Sequence, residues 1–408
     1  MIHSYRLNVG QIAIAIGLLG VITERGKFRF PIGFGWCTAF FAWALLSTAL
    51  SAVPDRSWEP LQDFGKVLLI AIVVANALRD ASQVSAFFML WLGCFALWPL
   101  RGTLLNAAYG IGEFGRYHWN FIFENPNDLA GIILLILGLT LAASKAGGRR
   151  IRLLAHIGTA LLTLVVFLTQ SRGAFLGLMV FALLTITTQR RRLRGLLGVG
   201  VVAALIAIAA PDSVWQRLGG IEALTSTDTI SQADNEGSAK SRYAIWHIAV
   251  RIRKDNPLTG VGFGSYPPVH WQYARQTPGV LNSVNGPKDS HSTYLNALAE
   301  TGVPGLIALL GFFISVVVFL AKATARLRQR APGRAEQFKC LLAAWVAFWV
   351  AGIFGTYHRI VFPYLFVGFA TALAAQYGVL GKVAAPARSA PSRAPATAAP
   401  LYRDAGRL

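Results

Sequence analysis

The stretch DLAGIILLILGLTLAASK, residues 128–145, decides the class of fold. Between Asp128 and Lys145 it carries no charged side chain, and its length approaches the roughly 20 residues with which an α-helix crosses a bilayer. The whole chain has a matching composition, since 54% of its 408 residues are hydrophobic and only 14% are charged. Such values are typical of integral membrane proteins and exclude a soluble α/β enzyme.

Apolar runs of similar length recur along the chain. They lie at 7–22, 30–52, 64–78, 84–99, 151–169, 173–188, 195–210, 303–322, 339–356 and 361–380. Several are short or adjoin one another. We therefore expect an all-α integral membrane protein, a polytopic bundle of about 11–12 transmembrane helices.

Basic residues occupy alternate loops between these runs. The clusters are Arg25, Lys27 and Arg29; Arg79; Lys145, Arg149, Arg150 and Arg152; Arg190, Arg191, Arg192 and Arg194; and Lys322, Arg326, Arg328, Arg330 and Arg334. The positive-inside rule places all of them on the cytoplasmic side, which accounts for the net charge of +20 without a nucleic-acid partner. The loops at 100–127, 170–172, 211–291 and 357–360 then face outward.

This assignment divides the chain into four parts. We expect an amino-terminal transmembrane bundle at 1–210, an outward-facing loop with amphipathic helices at 211–291, and carboxy-terminal transmembrane helices at 292–381. The tail at 382–408 is rich in Ala, Pro and Arg, which is typical of a disordered segment, and it falls on the cytoplasmic side.

The sequence lacks motifs for the common cofactors. Its three cysteines, Cys37, Cys94 and Cys340, lie in or beside apolar runs and do not have the spacing of a zinc site. There is no Walker loop, HExxH motif or D-x-D run. We therefore expect neither a metal nor another cofactor.

Arg172, in FLTQSRGAFLGL, stands between two apolar runs without an acidic residue nearby in the chain. An unpaired arginine near the bilayer centre costs about 2.5–3.5 kcal/mol on insertion scales, and less near the interface. Two interpretations remain open. The side chain extends to the outer headgroups, or its guanidinium binds an anion such as a phosphate.

Arg242 lies near the start of an amphipathic helix in SAKSRYAIWHIAVRIRKDNP. The apolar face of this helix consists of Ile245, Ala249 and Ile252. A cation is disfavoured at a helix amino end, so Arg242 requires a negative partner. That partner is either an anion shared with the first-turn amides or a local carboxylate, Asp234 or Glu236.

His291 heads a third helical pattern, in KDSHSTYLNALAETGVPG. Ser290 or Ser292 is expected to cap that helix, and Gly302 with Pro304 is expected to end or kink it. The partial positive charge of a helix amino end favours the neutral imidazole, which is able to accept a proton. The position therefore suits a general base, while a capping or packing role at the interface is the alternative.

Further polar residues in the outward loops are candidates to support the same site. They are Arg101, Arg116, His118, Asn125, Asn127, His358 and Arg359. Asn125 and Asn127 belong to FENPNDLAG, which predicts a turn that caps the next span. Each of the others, taken alone, also fits a role as an interfacial anchor.

These motifs together resemble the O-antigen ligase and O-antigen polymerase superfamily of bacterial envelope proteins. The similar strings are NPNDLAG at 125–131, SRGA at 171–174, SRYAIWHIA with NPLTGVGFGSY within 241–266, and HSTYLNALAETGVPG at 291–305. Their order, spacing and common outward side make the resemblance more specific than any single string does.

The resemblance implies a function and a role for each matched residue. Such proteins transfer a glycan from a polyprenyl (undecaprenyl) diphosphate to an acceptor hydroxyl, without a metal, at the periplasmic face of the inner membrane. By this resemblance Arg172 and Arg242 bind the diphosphate and His291 is the base. Transfer by a single displacement would invert the anomeric centre.

The acceptor and the wider function class stay open at this level. Lipid A-core, as in a ligase, is the preferred acceptor, and the growing polymer or a protein hydroxyl are the alternatives within the superfamily. A polyprenyl-linked glycan transporter predicts charges along a central pathway and paired halves, whereas the candidate residues here cluster on one side. A membrane scaffold leaves Arg172 and Arg242 unexplained.

Overall fold

The computed structural model describes residues 9–23, 26–51, 53–112, 115–119, 121–123, 125–186, 238–276 and 286–380. This part of the chain is helical and contains no β-strand. The expected fold class is confirmed, because the protein is a polytopic helical membrane protein. The predicted run at 195–210 and the tail at 382–408 lie outside the described residues.

The described helices follow the predicted apolar runs closely. They are α1 (Val9–Thr23), α2 (Phe34–Ala49), α3 (Pro54–Ala77), α4 (Ala81–Phe95), α5 (Arg101–Ala108), α6 (Pro126–Ala146), α7 (Arg149–Thr169), α8 (Arg172–Ile186), α9 (Ser238–Asp255), α10 (Tyr266–Arg275), α11 (Thr293–Arg330), α12 (Pro332–Ala351) and α13 (Val361–Gln376). A π-helical turn at Ala96–Leu100 joins α4 to α5.

Five stretches among these helices are long and apolar enough to cross a bilayer. They are Pro54–Ala77, Ala81–Ala108, Pro126–Lys145, Arg149–Thr169 and Thr293–Arg330. The apolar helices α1, α2, α8 and α13 are shorter. Helix length alone therefore supports several spans without fixing the predicted total.

Helices α6 and α12 form the centre of the bundle. Most of α12 is buried, including Trp345 and Trp349, and small residues allow α6 to lie close against it. A Cβ added at Gly138 of α6 would overlap Ala344 of α12. Close approach through small residues is the usual way in which helices associate within a membrane.

The loops gather at two ends of this bundle. At one end, Thr293 N donates a hydrogen bond to Gly352 O at 2.8 Å and Tyr117 N donates to Leu168 O at 2.9 Å; we call this the His291 end. At the opposite end, Arg29 Nη1 donates to Leu78 O at 3.0 Å. The described loops fall into the same two sets that the distribution of basic residues predicts.

Two amphipathic helices, α9 and α10, pack over the His291 end. The predicted apolar face of α9 is confirmed, because Ile245, Ala249 and Ile252 are all buried. The expected kink in α11 is also present at Gly302, whose φ is 69°. A Cβ there would overlap the carbonyl oxygen of Leu258, so the close approach of the α9–α10 connection requires glycine at this position.

Candidate functional site

His291 occupies a constrained turn immediately before α11. Its φ of 48° is left-handed, which is uncommon for a residue with a side chain. Ser292 is the N-cap of α11, and its hydroxyl accepts from Leu295 N at 3.5 Å. Ser290 is buried, and its hydroxyl donates to Ser292 O at 2.9 Å. One of the two predicted caps, Ser292, is therefore the capping residue.

The surroundings of His291 favour its neutral form. Burial is the largest effect and lowers the pKa of the imidazole below its ordinary value. The negative charge of Asp289 opposes this shift, whereas the positive charges of Arg242, Lys288 and Arg116 add to it. Within the part of the chain that the structure describes, no group hydrogen-bonds the ring.

Arg242 lies near the amino end of the described part of α9, which starts at Ser238. Its charge reaches both His291 and Tyr357. Arg242 therefore lies close enough to His291 for its charge to act on the imidazole, whereas the alternative partners Asp234 and Glu236 lie outside the described residues.

Arg116 connects three chain segments near His291. Its Nε donates to Thr169 O at 2.9 Å and its Nη2 donates to Asn127 Oδ1 at 2.8 Å. Asn125 caps α6 as the sequence predicts, because its Oδ1 accepts from Asn127 N at 2.9 Å. The NPND turn therefore fixes a guanidinium whose charge acts on His291.

Arg172 is the first residue of α8 and is half-buried. It follows Gln170, which reverses the chain in a left-handed conformation. No described residue forms an ion pair or hydrogen bond with its guanidinium. A series of contacts through two aromatic side chains connects the start of α8 to the His291 turn. A Cβ at Gly173 would overlap Phe354, the Phe354 ring lies 5.9 Å from that of Trp246, and Trp246 Nε1 donates to Ser290 O at 3.0 Å.

Three of these residues lie in one segment of the chain that is similar to a known family. A sequence profile described as O-Antigen ligase matches residues 157–310. The matched segment contains Arg172, Arg242 and His291, and it runs from α7 into α11. No curated protein matches the chain.

Other predicted residues lie at different places relative to the segment that the O-antigen ligase profile matches. Arg101 lines an apolar cavity of about 310 Å³ between α5 and α7, whose other lining residues are Ala96, Leu100, Leu104, Leu105 and Leu161. His118 is half-buried in the segment that carries Arg116, and its carbonyl oxygen accepts from Asn106 Nδ2 at 2.8 Å. Neither residue is placed against His291 by a contact.

His358 does not face outward as the sequence suggests, whereas the side chain of Arg359 is partly exposed. His358 is fully buried between the rings of Phe40 and Phe263, and burial followed by the charge of Arg359 holds its pKa well below the ordinary value. Arg359 points its guanidinium towards two carboxylates, Asp289 and Glu300. A substrate beside His291 would therefore not touch the His358 imidazole.

Several residues that lie at the His291 end of the bundle were not identified as candidates from the sequence. Asp289 and Trp246 support the His291 turn, and Glu300 is fully buried in α11. A signal for Glu300 existed, because an isolated carboxylate beside a long apolar run is costly and marks a functional or pairing site. Asp289 had only its proximity to His291 in the chain.

Proposed function

We propose that this protein transfers a glycan from a polyprenyl diphosphate to an acceptor hydroxyl. The observation that carries the proposal is a half-buried histidine with a lowered pKa among the charges of Arg116, Arg242 and Lys288, within a segment that matches O-antigen ligases. A neutral imidazole suits proton abstraction. The surrounding cations suit a diphosphate.

The chemical step is a single displacement at the anomeric carbon. His291 takes the proton of the acceptor hydroxyl, the hydroxyl oxygen forms the new glycosidic bond, and the bond to the diphosphate breaks. The polyprenyl diphosphate leaves with the electron pair, and the anomeric configuration inverts. Arg172 and Arg242 meet the charge that grows on the leaving group, an effect worth several kcal/mol of barrier in preorganised sites, so that no metal is required.

The charge distribution supports a periplasmic location for this step. Basic loops cluster at the opposite end of the bundle, which the positive-inside rule assigns to the cytoplasm. The His291 end then faces the periplasm of a bacterial inner membrane. The apolar cavity beside Arg101, at this end of α5, has the chemical character required to hold a segment of polyprenyl chain.

Lipid A-core is the acceptor that we favour. The growing polymer and a protein hydroxyl remain the alternative acceptors. Transport of the polyprenyl-linked glycan without transfer is the alternative function. These products differ chemically, so one reconstituted assay separates them.

The test uses purified full-length protein in proteoliposomes with undecaprenyl diphosphate-linked glycan. Lipid A-core, an unlinked glycan chain and a serine-containing peptide are supplied in separate reactions, each with and without EDTA. We expect glycosylated lipid A-core and one released undecaprenyl diphosphate per transfer, and no loss of rate with EDTA. Extension of the glycan or modification of the peptide would identify the alternative acceptor. Movement of intact donor across the bilayer without its consumption would refute the transferase.

A further inference from the structure

A chain of ionic contacts lies directly beneath the His291 turn. Arg359 places Nη2 at 3.7 Å from Asp289 Oδ1 and Nη1 at 3.5 Å from Glu300 Oε1. The side chains of Arg359 and Asp289 are 25% and 28% exposed, and that of Glu300 is fully buried. One guanidinium therefore joins a carboxylate at the edge of the site to a carboxylate in the interior.

Glu300 connects this series of ionic contacts to three helices. Its Oε1 accepts from Tyr266 N at 3.2 Å, at the start of α10, and its backbone oxygen accepts from Ser47 Oγ of α2 at 2.7 Å. Glu300 itself belongs to α11. The contacts of Oε1 with Arg359 and with Tyr266 N hold the Glu300 side chain in place, so it provides a fixed point for Arg359.

Asp289 connects this series of ionic contacts to His291. It lies two residues before the histidine, and its Oδ1 also accepts from Asn296 Nδ2 at 2.9 Å. The next residue is held as well, because Trp246 Nε1 donates to Ser290 O. A left-handed backbone such as that of His291 persists only where its surroundings fix it. These contacts come from α9, α11 and the loop before α13.

The charges around the imidazole give Asp289 a distinct role. Among the described groups that act on His291, Asp289 is the one that favours the protonated ring, whereas Arg242, Lys288 and Arg116 disfavour it. Its charge also reaches Tyr266 and His270 of α10. When His291 takes a proton, an imidazolium forms beside three cations, and the Asp289 carboxylate offsets that repulsion.

We propose that Arg359 and Glu300 are positioning residues that hold the Asp289 carboxylate near His291, where it stabilises the imidazolium formed during glycosyl transfer. The inference rests on the proposed function. The acceptor proton moves to the ring nitrogen and stays there until it is released to solvent. A purely structural ion pair would stabilise the fold without a specific effect on the proton transfer.

The first test is the pH dependence of transfer by Asp289→Asn in proteoliposomes. Loss of the negative charge leaves Arg242, Lys288 and Arg116 to act on the ring, so the pKa of His291 falls. Because the base works only when unprotonated, the acidic limb of the rate profile moves to lower pH, by about half a unit to one unit. We expect kcat to fall about tenfold at the plateau, with the donor KM changed less than about twofold.

The second test uses Arg359→Gln and Arg359→Lys, which leave the Asp289 charge in place. Arg359→Gln should lower kcat about tenfold with little change in donor KM, because a misplaced catalytic group loses rate more than binding. Arg359→Lys should recover part of that loss. The matched control is Arg275→Gln, an exposed arginine of α10 that stacks on Trp271 at 5.9 Å, and it should keep the wild-type profile.

The outcomes separate this inference from the proposed function. A wild-type protein that transfers no glycan refutes the function itself. If the wild type is active and Asp289→Asn lowers the rate equally at every pH, or if both Arg359 variants match the Arg275 control, the positioning role is wrong. Glu300→Gln keeps the shape of the side chain and serves as a further variant. A wild-type kcat for this variant would show that Glu300 does not help to position Asp289.

Discussion

The two ends of the bundle both carry arginines, but their surroundings differ. At the opposite end, Arg29 and Arg326 donate to the backbone oxygens of Leu78 and Val379, and Arg334 lies 4.4 Å from the centre of the Tyr377 ring. At the His291 end, Arg116 and Arg242 both act on one imidazole. The first group is spread around the rim, whereas the second group converges.

This difference separates two uses of positive charge. Basic residues that set the orientation of a membrane protein need only lie in a cytoplasmic loop, so each is free to bond to the nearest carbonyl or ring. At the His291 end, the charges of Arg116 and Arg242 act on the imidazole itself, so a substitution there alters the electrostatics of the candidate site. The contrast therefore predicts large effects of substitution at one end and small effects at the other.

The largest effect is expected for His291→Ala. Removal of the base should lower the transfer rate by about 10²–10⁴-fold, while binding of the polyprenyl diphosphate donor is retained, because the arginines are untouched. The measurement is the single-turnover rate in proteoliposomes, together with donor binding to the purified protein.

His247→Ala is the control for this variant. His247 is an exposed histidine of α9 at the same end of the bundle, and its removal should leave the rate unchanged. Transfer by His291→Ala at the wild-type rate would eliminate His291 as the base. The charges that act on its imidazole would then have no role in proton transfer.

A somewhat smaller effect is expected for Arg172. Loss of one group that stabilises transition-state charge commonly costs about 10²–10³-fold, so Arg172→Ala should fall in that range. Arg172→Lys should recover little, because an ammonium cannot form the two-pronged contact of a guanidinium with a phosphate. Arg330→Lys, an exposed residue near the end of α11, is the matched exchange at the opposite end. Equal indifference to both lysine variants would show that Arg172 extends to headgroups instead.

Features that depend on neighbouring residues were predictable from the sequence. Apolar length predicts α6 and α7, Ser292 caps α11 as expected, and Gly302 kinks it. Each of these follows from local backbone chemistry or from the thickness of a bilayer. The candidate residues Arg172, Arg242 and His291 stood out because they were polar groups beside apolar runs. Their roles in binding and proton transfer stay predictions.

Features that depend on distant contacts were not predictable. The ion pair between Arg359 and Glu300 joins residues that are far apart in the chain, and no local pattern indicates it. His358 looks like an outward loop residue, yet the fold buries it between two rings.

The smallest effect is expected at the opposite end, for Arg334→Gln. The guanidinium of Arg334 is exposed and lies over the ring of Tyr377, a cation–π contact worth about 0.5–1 kcal/mol at such sites. Thermal unfolding in detergent should therefore shift only slightly, and the transfer rate should stay within about twofold of the wild type because the residue is at the other end of the bundle from His291. A loss of transfer as large as that of Arg172→Ala, without loss of folded protein, would show that charge at this end also serves the reaction, and the distinction between orienting and substrate-binding arginines would fail.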